Sequence, residues 1–239
     1  MGRKFEVRKA AMAKTGLAKT KLYSRFGKEI YMSAKNGGPN PDANLSLKHL
    51  IEKAKKAQVP GDVIKRNIDK AAAGKGEDFQ AIRYEGFGPG GIGIIVDTLT
   101  DNVNRTVSEV RNCFTKVGKS MGVSGSVEHS YSHLSYVSVK GLTDEEALET
   151  LLMADIEVNE IEDNEGVIEI EGNGYDGDKI VDALTADFPE IEVVENESGW
   201  YPLEYIELDE EDTKLFEKFE NLINEVEDVQ NFYHNVKQD

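Results

Sequence analysis

The chain has 239 residues, of which 28 are Lys or Arg and 45 are Asp or Glu, and its formal net charge is −17. Its 39% hydrophobic content excludes a wholly disordered chain and allows two or three modest cores. Because Cys113 is the one cysteine, an internal disulfide is excluded. The sequence shows no secretory signal and no apolar run of about 20 residues, so we expect a cytoplasmic protein with no membrane partner.

Positive charge is concentrated at the start of the chain. Residues 1–75 carry 18 Lys+Arg and 6 Asp+Glu, whereas residues 76–239 carry 10 and 39. The first segment therefore has a charge of about +12 and the second about −29. Since a phosphate backbone attracts the first and repels the second, we expect any contact with nucleic acid to lie in residues 1–75.

The basic segment is expected to be helical. Leu22, Phe26 and Ile30 recur at i, i+4 and i+8, and the turn-forming residues 36–42 end this helix. Asn44 is a predicted N-cap for a helix over 45–58. Asp62 is a predicted cap for another helix that ends near Gly74, so these two helices form a hairpin with a basic outer surface.

Beyond residue 82 the pattern alternates between strands and helices. A buried strand over 92–100, a helix from Asn102 or Asn104 and a strand over 124–131 give the order β-α-β. Residues 134–197 give β-α-β-β-α-β, the ferredoxin-like order, with a capping box at Thr143 and Glu146.

The last segment again reads β-α-β. It has predicted strands over 201–208 and 228–235 on either side of a helix from about Asp209. A lone β-α-β unit cannot cover its sheet, so we expect it to pair with the first one. The prediction is an α+β chain of three domains: a basic helical domain and two α/β ferredoxin-like domains, one inserted in the other. Their bounds are 1–76 for the helical domain, 77–131 with 199–239 for the discontinuous domain, and 132–198 for the inserted acidic domain.

Two motifs have alternative interpretations. Residues 84–91 resemble a phosphate-binding glycine loop, but they precede a strand and present no helix N-terminus, which favours a structural turn. His129 and His133 have a zinc-ligand spacing only if they share a helix, and the pattern there is that of a strand. We find no nucleophile paired with a base, no metal set and no cofactor motif, so we expect a protein that is not an enzyme.

The predicted site is a set of cations for nucleic-acid phosphates. A solvated helical face would normally mix the two signs of charge, which this segment does not. Aromatic side chains among these cations, such as Tyr23 and Tyr31, could stack on bases. The predicted nucleic-acid-binding residues are Arg3, Lys4, Arg8, Lys9, Lys14, Lys19, Lys21, Arg25, Lys28, Lys48, Lys55, Lys56, Lys65, Arg66 and Lys70.

Several stretches resemble a known family. They include LSLKHLIEKAKKAQVPGDVIKRNIDKA, YEGFGPGGIGIIVDTLTDNVNRTVSEVRNCFTKVG, SGSVEHSY and the closing ELDEED and EDVQNFYHN. These stretches, with RKAAMAKTGLAKTKLYSRFGKEI near the start, resemble the YebC/PmpR family over essentially the whole chain. The opening MGRKFEVRKAAMAKTG departs from the better-known branch and looks like a second branch.

The resemblance implies three domains, no known enzymatic activity and a role in gene expression. Some members of the family are described as DNA-binding transcriptional regulators. Others act on translation, including a mitochondrial translational activator and bacterial relatives linked to relief of ribosome stalling at proline-rich stretches. We therefore expect a nucleic-acid-binding regulator whose partner is duplex DNA or ribosomal RNA. A protein-interaction adaptor remains the alternative from another class.

Overall fold

The structure, a computed structural model, describes residues 19–74, 76 and 78–237, and it is an α+β protein. Within these residues lie seven α-helices and two four-stranded antiparallel sheets. The described residues divide into two compact units, one made of residues 19–128 with 206–237, and the other His129–Tyr205.

Three helices open the first unit. They are α1 (Lys19–Gly37), α2 (Leu45–Lys56) and α3 (Gly61–Ala72). The predicted N-cap Asn44 is confirmed, because its side chain accepts the Leu47 N–H and donates to the Ser33 and Gly38 carbonyls, which fixes the α1–α2 corner. The helices share a small core that consists of Ile30, Ala34, Leu47, Ala54, Val59 and Ile64.

The predicted cap of α3 was wrong. Pro60, rather than Asp62, occupies the N-cap position with φ −59° and ψ 138°, and it makes no side-chain capping bond. The Pro60 carbonyl accepts the N–H groups of Val63 and Ile64, so the helix begins at Gly61, two residues earlier than an Asp62 cap would allow. Asp62 instead lies in the first turn, where its negative charge interacts favourably with the positive end of the helix dipole.

The first sheet begins with an antiparallel hairpin. Strand β1 (Gln80–Phe87) pairs with β2 (Gly93–Thr100) along its whole length. Helix α4 (Val103–Lys116) follows, with Asn102 as its N-cap, and the two-residue strand β3 (Ser120–Met121) pairs with β1. The predicted strand over 124–131 was wrong, because residues 124–130 form turns and a short 3₁₀ helix and Tyr131 begins the next strand. Strand β1 was not predicted as a strand.

The His129–Tyr205 unit has the predicted β-α-β-β-α-β order. It consists of β4 (Tyr131–Lys140), α5 (Asp144–Met153), β5 (Val158–Asn164), β6 (Val167–Asn173), α6 (Gly177–Asp187) and β7 (Glu192–Pro202). The sheet order β5-β6-β4-β7, antiparallel throughout, fits the ferredoxin-like arrangement. The capping box at Thr143 and Glu146 is confirmed.

The predicted strand over 201–208 was wrong as well. Strand β7 runs without a break to Pro202, pairing with all of β4, and a bulge between Ser138 and Val139 absorbs the change of register. After Pro202 the chain reaches α7 (Glu210–Glu225), capped by Asp209, and β8 (Val229–His234).

Strand β8 completes the first sheet at the far end of the chain. The sheet order is β3-β1-β2-β8, and β8 pairs antiparallel with β2. Helices α4 and α7 pack on this sheet through a core that includes Ile94, Val96, Phe114, Phe219 and Phe232. Residues separated by more than 100 positions therefore share one core.

Candidate nucleic-acid interface

Helices α2 and α3 expose most of their positive charge to solvent. Six of the predicted site residues are exposed there, three on each helix. They are Lys48, Lys55, Lys56, Lys65, Arg66 and Lys70. The same helices expose only three acids, Glu52, Asp62 and Asp69, so their outer surface remains positive.

Three of the predicted site residues on α1, Lys21, Arg25 and Lys28, contact other protein groups. Lys21 Nζ donates to the Asn224 carbonyl at 2.5 Å, and Lys28 Nζ donates to Asp228 Oδ1 at 2.8 Å. Arg25 forms an ion pair with Glu29 on its own helix at 3.2 Å. Lys28 is only 12% exposed, so its place in the predicted site is corrected: it holds α1 against the first sheet.

Asp228 is the acceptor at the centre of this contact. Its Oδ2 accepts hydrogen bonds from Arg105 Nη2 at 2.6 Å and lies 2.7 and 3.1 Å from the hydroxyls of Thr106 and Thr100. Burial raises the pKa of the carboxyl, but hydrogen bonds from Lys28, Arg105 and Thr106 outweigh it and lower the pKa to about 2. Asp228 is therefore ionised at neutral pH despite its 1% exposure.

A cleft of about 450 Å³ lies between α1 and α3. It is lined by three aromatic side chains, Tyr23, Tyr31 and Phe79, and three cations, Lys28, Arg66 and Lys70. Lys28 Nζ lies 5.6 Å from the centroid of the Phe79 ring, and Lys70 Nζ lies 5.5 Å from that of Tyr31. The cleft thus combines ring surfaces with positive charge.

Sequence reasoning missed part of this cleft. Phe79 follows the basic segment and Glu227 lies some 150 residues further along the chain, yet both line the cleft. No local pattern relates them, since the pairing of β8 with β2 brings Glu227 to this place. The predicted residues Arg3, Lys4, Arg8, Lys9 and Lys14 lie outside the described residues, as does the side chain of Lys19.

The remaining motifs have structural roles. The predicted turn over 84–91 is confirmed only in part, because residues 84–87 lie in β1 and residues 88–92 connect antiparallel β1 and β2, with φ of 64° at Gly90 and 79° at Gly91. His133, from the predicted histidine pair, stacks on Trp200 with ring centroids 4.6 Å apart.

The single cysteine is buried, and burial raises the pKa of the Cys113 thiol to about 11. In the part of the chain that the structure describes, no cluster of His, Cys, Asp and Glu could hold a metal ion.

No helix in the described ranges is both long enough and apolar enough to cross a bilayer.

Comparisons with known proteins cover nearly the whole chain. The model described as "TACO1/YebC protein N-terminal domain" matches residues 3–74, and that described as "TACO1/YebC second and third domain" matches residues 79–236. The chain belongs to the TACO1/YebC family. The first model covers α1 to α3, and the second covers both sheets.

Relatives within the TACO1/YebC family are similar over their full length. A "probable transcriptional regulatory protein" of Alteromonas mediterranea is 51% identical over 99% of this chain and 98% of its own. One of Vibrio parahaemolyticus is 52% identical, over 99% and 100%. The crystal structure of a conserved hypothetical protein of Aquifex aeolicus has a TM-score of 0.69 at 33% identity, covering 94% of this chain and 92% of that one.

Proposed function

We propose that this protein is a non-enzymatic, nucleic-acid-binding regulator of gene expression, and that it contacts phosphates through α2 and α3. The six exposed cations on these two helices carry the proposal. The names of its relatives favour a role in transcription. We also propose the three-domain division, with the α1–α3 segment as the nucleic-acid-binding domain.

The opposite charge of the His129–Tyr205 unit supports this location. That unit has 2 Lys+Arg and 21 Asp+Glu. A phosphate backbone that approached it would meet strong repulsion, whereas α2 and α3 would attract the backbone and orient the protein on it. If the protein were an adaptor, this acidic unit would bind a basic segment of a partner protein.

The packing of α3 bears on which nucleic acid is bound. A recognition helix in a DNA major groove needs side chains that are free to read base edges. On α3 the best amide candidate, Asn67, donates to the Val63 carbonyl at 2.8 Å and packs so closely on Gly27 that a Cβ there would lie 2.9 Å from Asn67 Nδ2. Because Asn67 is engaged in this way, α3 suits contact with phosphates and unpaired bases better than readout of paired bases. Binding to ribosomal RNA is therefore the second candidate function.

Salt dependence of binding tests the proposal. If the six cations each neutralise one phosphate, log K should fall with log salt with a slope of about −5 on duplex DNA and about −4 on single-stranded RNA. We expect Lys55→Glu with Lys65→Glu to weaken binding at least about tenfold and to reduce the slope by about 2. The measurement is filter binding of a labelled duplex and a labelled RNA from 50 to 200 mM salt.

A matched variant controls for net charge. Lys140→Glu with Lys214→Glu changes the same total charge at exposed positions outside α2 and α3. It should bind within about twofold of the unmodified protein. Equal losses in the two double variants would contradict the interface, and no binding of either nucleic acid by the unmodified protein would contradict the function. Salt-sensitive sedimentation with ribosomes, lost in Lys55→Glu/Lys65→Glu, would assign the function to translation.

A further inference from the structure

The cleft between α1 and α3 has a graded composition. Tyr31 and Lys28 are nearly buried, with exposures of 2% and 12% respectively, so they form its deep part. Arg66 and Lys70 are exposed, so they lie at its mouth. Because the charge of Lys28 is balanced by Asp228, the deep part is mainly aromatic. The exposed Glu227 also lines the cleft, but Arg66 and Lys70 outnumber it, so the mouth is positive.

This gradient matches the two ends of a nucleotide. The faces of a base are flat and apolar, so a base stacks on aromatic rings. The free energy gained by stacking depends only weakly on which base it is. A phosphate is an anion that a guanidinium and an ammonium group bind well. A cleft of about 450 Å³ lies within the usual range for binding sites of small molecules.

The nucleotide must be unstacked to enter such a cleft. In a duplex, extrusion of a base costs a few kcal/mol, whereas a single strand has already lost its pairing. We propose that the cleft binds one unstacked nucleotide of a single-stranded segment, with the base against Tyr23 and Phe79 and the phosphate at Arg66 and Lys70. This rests on the proposed function and specifies the nucleic acid that the site receives.

A fluorescent base tests this directly. The probe is a single-stranded RNA decamer with one 2-aminopurine, whose emission is quenched when it stacks on a ring. We expect the protein to quench the probe, and Tyr23→Leu to abolish the quenching and weaken binding of the decamer about tenfold. Tyr23→Phe should retain both, because it keeps the ring.

Two neighbouring cations provide a matched pair. Arg66 lines the cleft, while Lys65, the preceding residue of α3, is exposed but does not line it. Arg66→Gln should weaken binding of the decamer more than Lys65→Gln, and the two should weaken binding of a DNA duplex equally. Both positions are on the surface, so these variants should fold, which thermal unfolding checks.

The outcomes distinguish this inference from the function on which it rests. If Tyr23→Leu and Arg66→Gln bind and quench the decamer as well as Tyr23→Phe and Lys65→Gln do, while Lys55→Glu/Lys65→Glu loses binding, the cleft proposal is wrong and the interface stands. Tighter binding of the duplex than of the decamer, with no quenching, would also overturn it. If the unmodified protein binds no nucleic acid, both proposals fail.

Discussion

Replacement of Asp228 by alanine should lower the free energy of unfolding by about 3–5 kcal/mol, because it leaves the positive charges of Lys28 and Arg105 without their shared partner. The hydroxyls of Thr100 and Thr106 would lose their acceptor as well. Urea unfolding, with far-UV circular dichroism as the signal, measures the loss. A change below about 1 kcal/mol would contradict the central role of Asp228.

The pH dependence of stability gives a second test of the same residue. The pKa of Asp228 is lowered from 3.8 to about 2 in the folded protein, so its contribution is fully present above pH 4 and is lost as the pH falls towards 2. Asp228→Asn keeps the shape of the side chain and removes this titration. Its free energy of unfolding should therefore fall less between pH 5 and pH 2 than that of the unmodified protein. Identical slopes would show that Asp228 has no such role.

Replacement of Glu85 by alanine should cost about 3 kcal/mol or more. The Glu85 carboxylate is 2% exposed and accepts three backbone N–H groups, from Gly125 at 2.7 Å, Val127 at 2.7 Å and Glu128 at 2.9 Å. Burial raises the pKa of this carboxyl, but the three hydrogen bonds outweigh it and keep the pKa below its ordinary value. Without the carboxylate, these donors lose their acceptor, and Val127 is fully buried.

Hydrogen exchange can localise the effect of Glu85→Ala. The amides of Gly125, Val127 and Glu128 should lose most of their protection, while those of β6 should exchange as before. The control is Glu85→Gln, whose one carbonyl oxygen can keep the two bonds now made by Oε2, so it should cost less than the alanine variant. Equal exchange at Val127 in all three proteins would contradict this account of the 125–128 turn.

Helices and strands whose ends are marked by short-range sequence patterns were predictable from the sequence. The N-cap Asn44 and the capping box at Thr143 and Glu146 were placed correctly. Asn102 was one of two predicted starts of α4, and the start of α7 was predicted near Asp209, which is its N-cap. The β-α-β-β-α-β order was also correct, since its strands are short segments that mix apolar with polar residues, as in Val167–Asn173, between turn residues.

The errors arose where tertiary contacts decide the structure. Strand β1 was missed because its second half was placed in the predicted glycine turn over 84–91. In the structure Arg83 is paired with Asp97 across the hairpin, and Glu85 accepts hydrogen bonds from three backbone amides. Lys28 had the spacing of an exposed cation on α1, and only its approach to Asp228, 200 residues away, shows that it is committed to packing. A sequence pattern carries no information on such distant partners.

Mapping of cross-links is the most direct test of the claim that α1 to α3 contain the nucleic-acid interface. Ultraviolet irradiation of living cells that contain the protein, followed by mass spectrometry of its peptides, identifies where nucleotides attach. We expect the adducts to lie in residues 19–79, with Tyr23 or Phe79 among the modified residues, and the sugar of the adduct will tell RNA from DNA. Adducts confined to the acidic His129–Tyr205 unit would contradict the account.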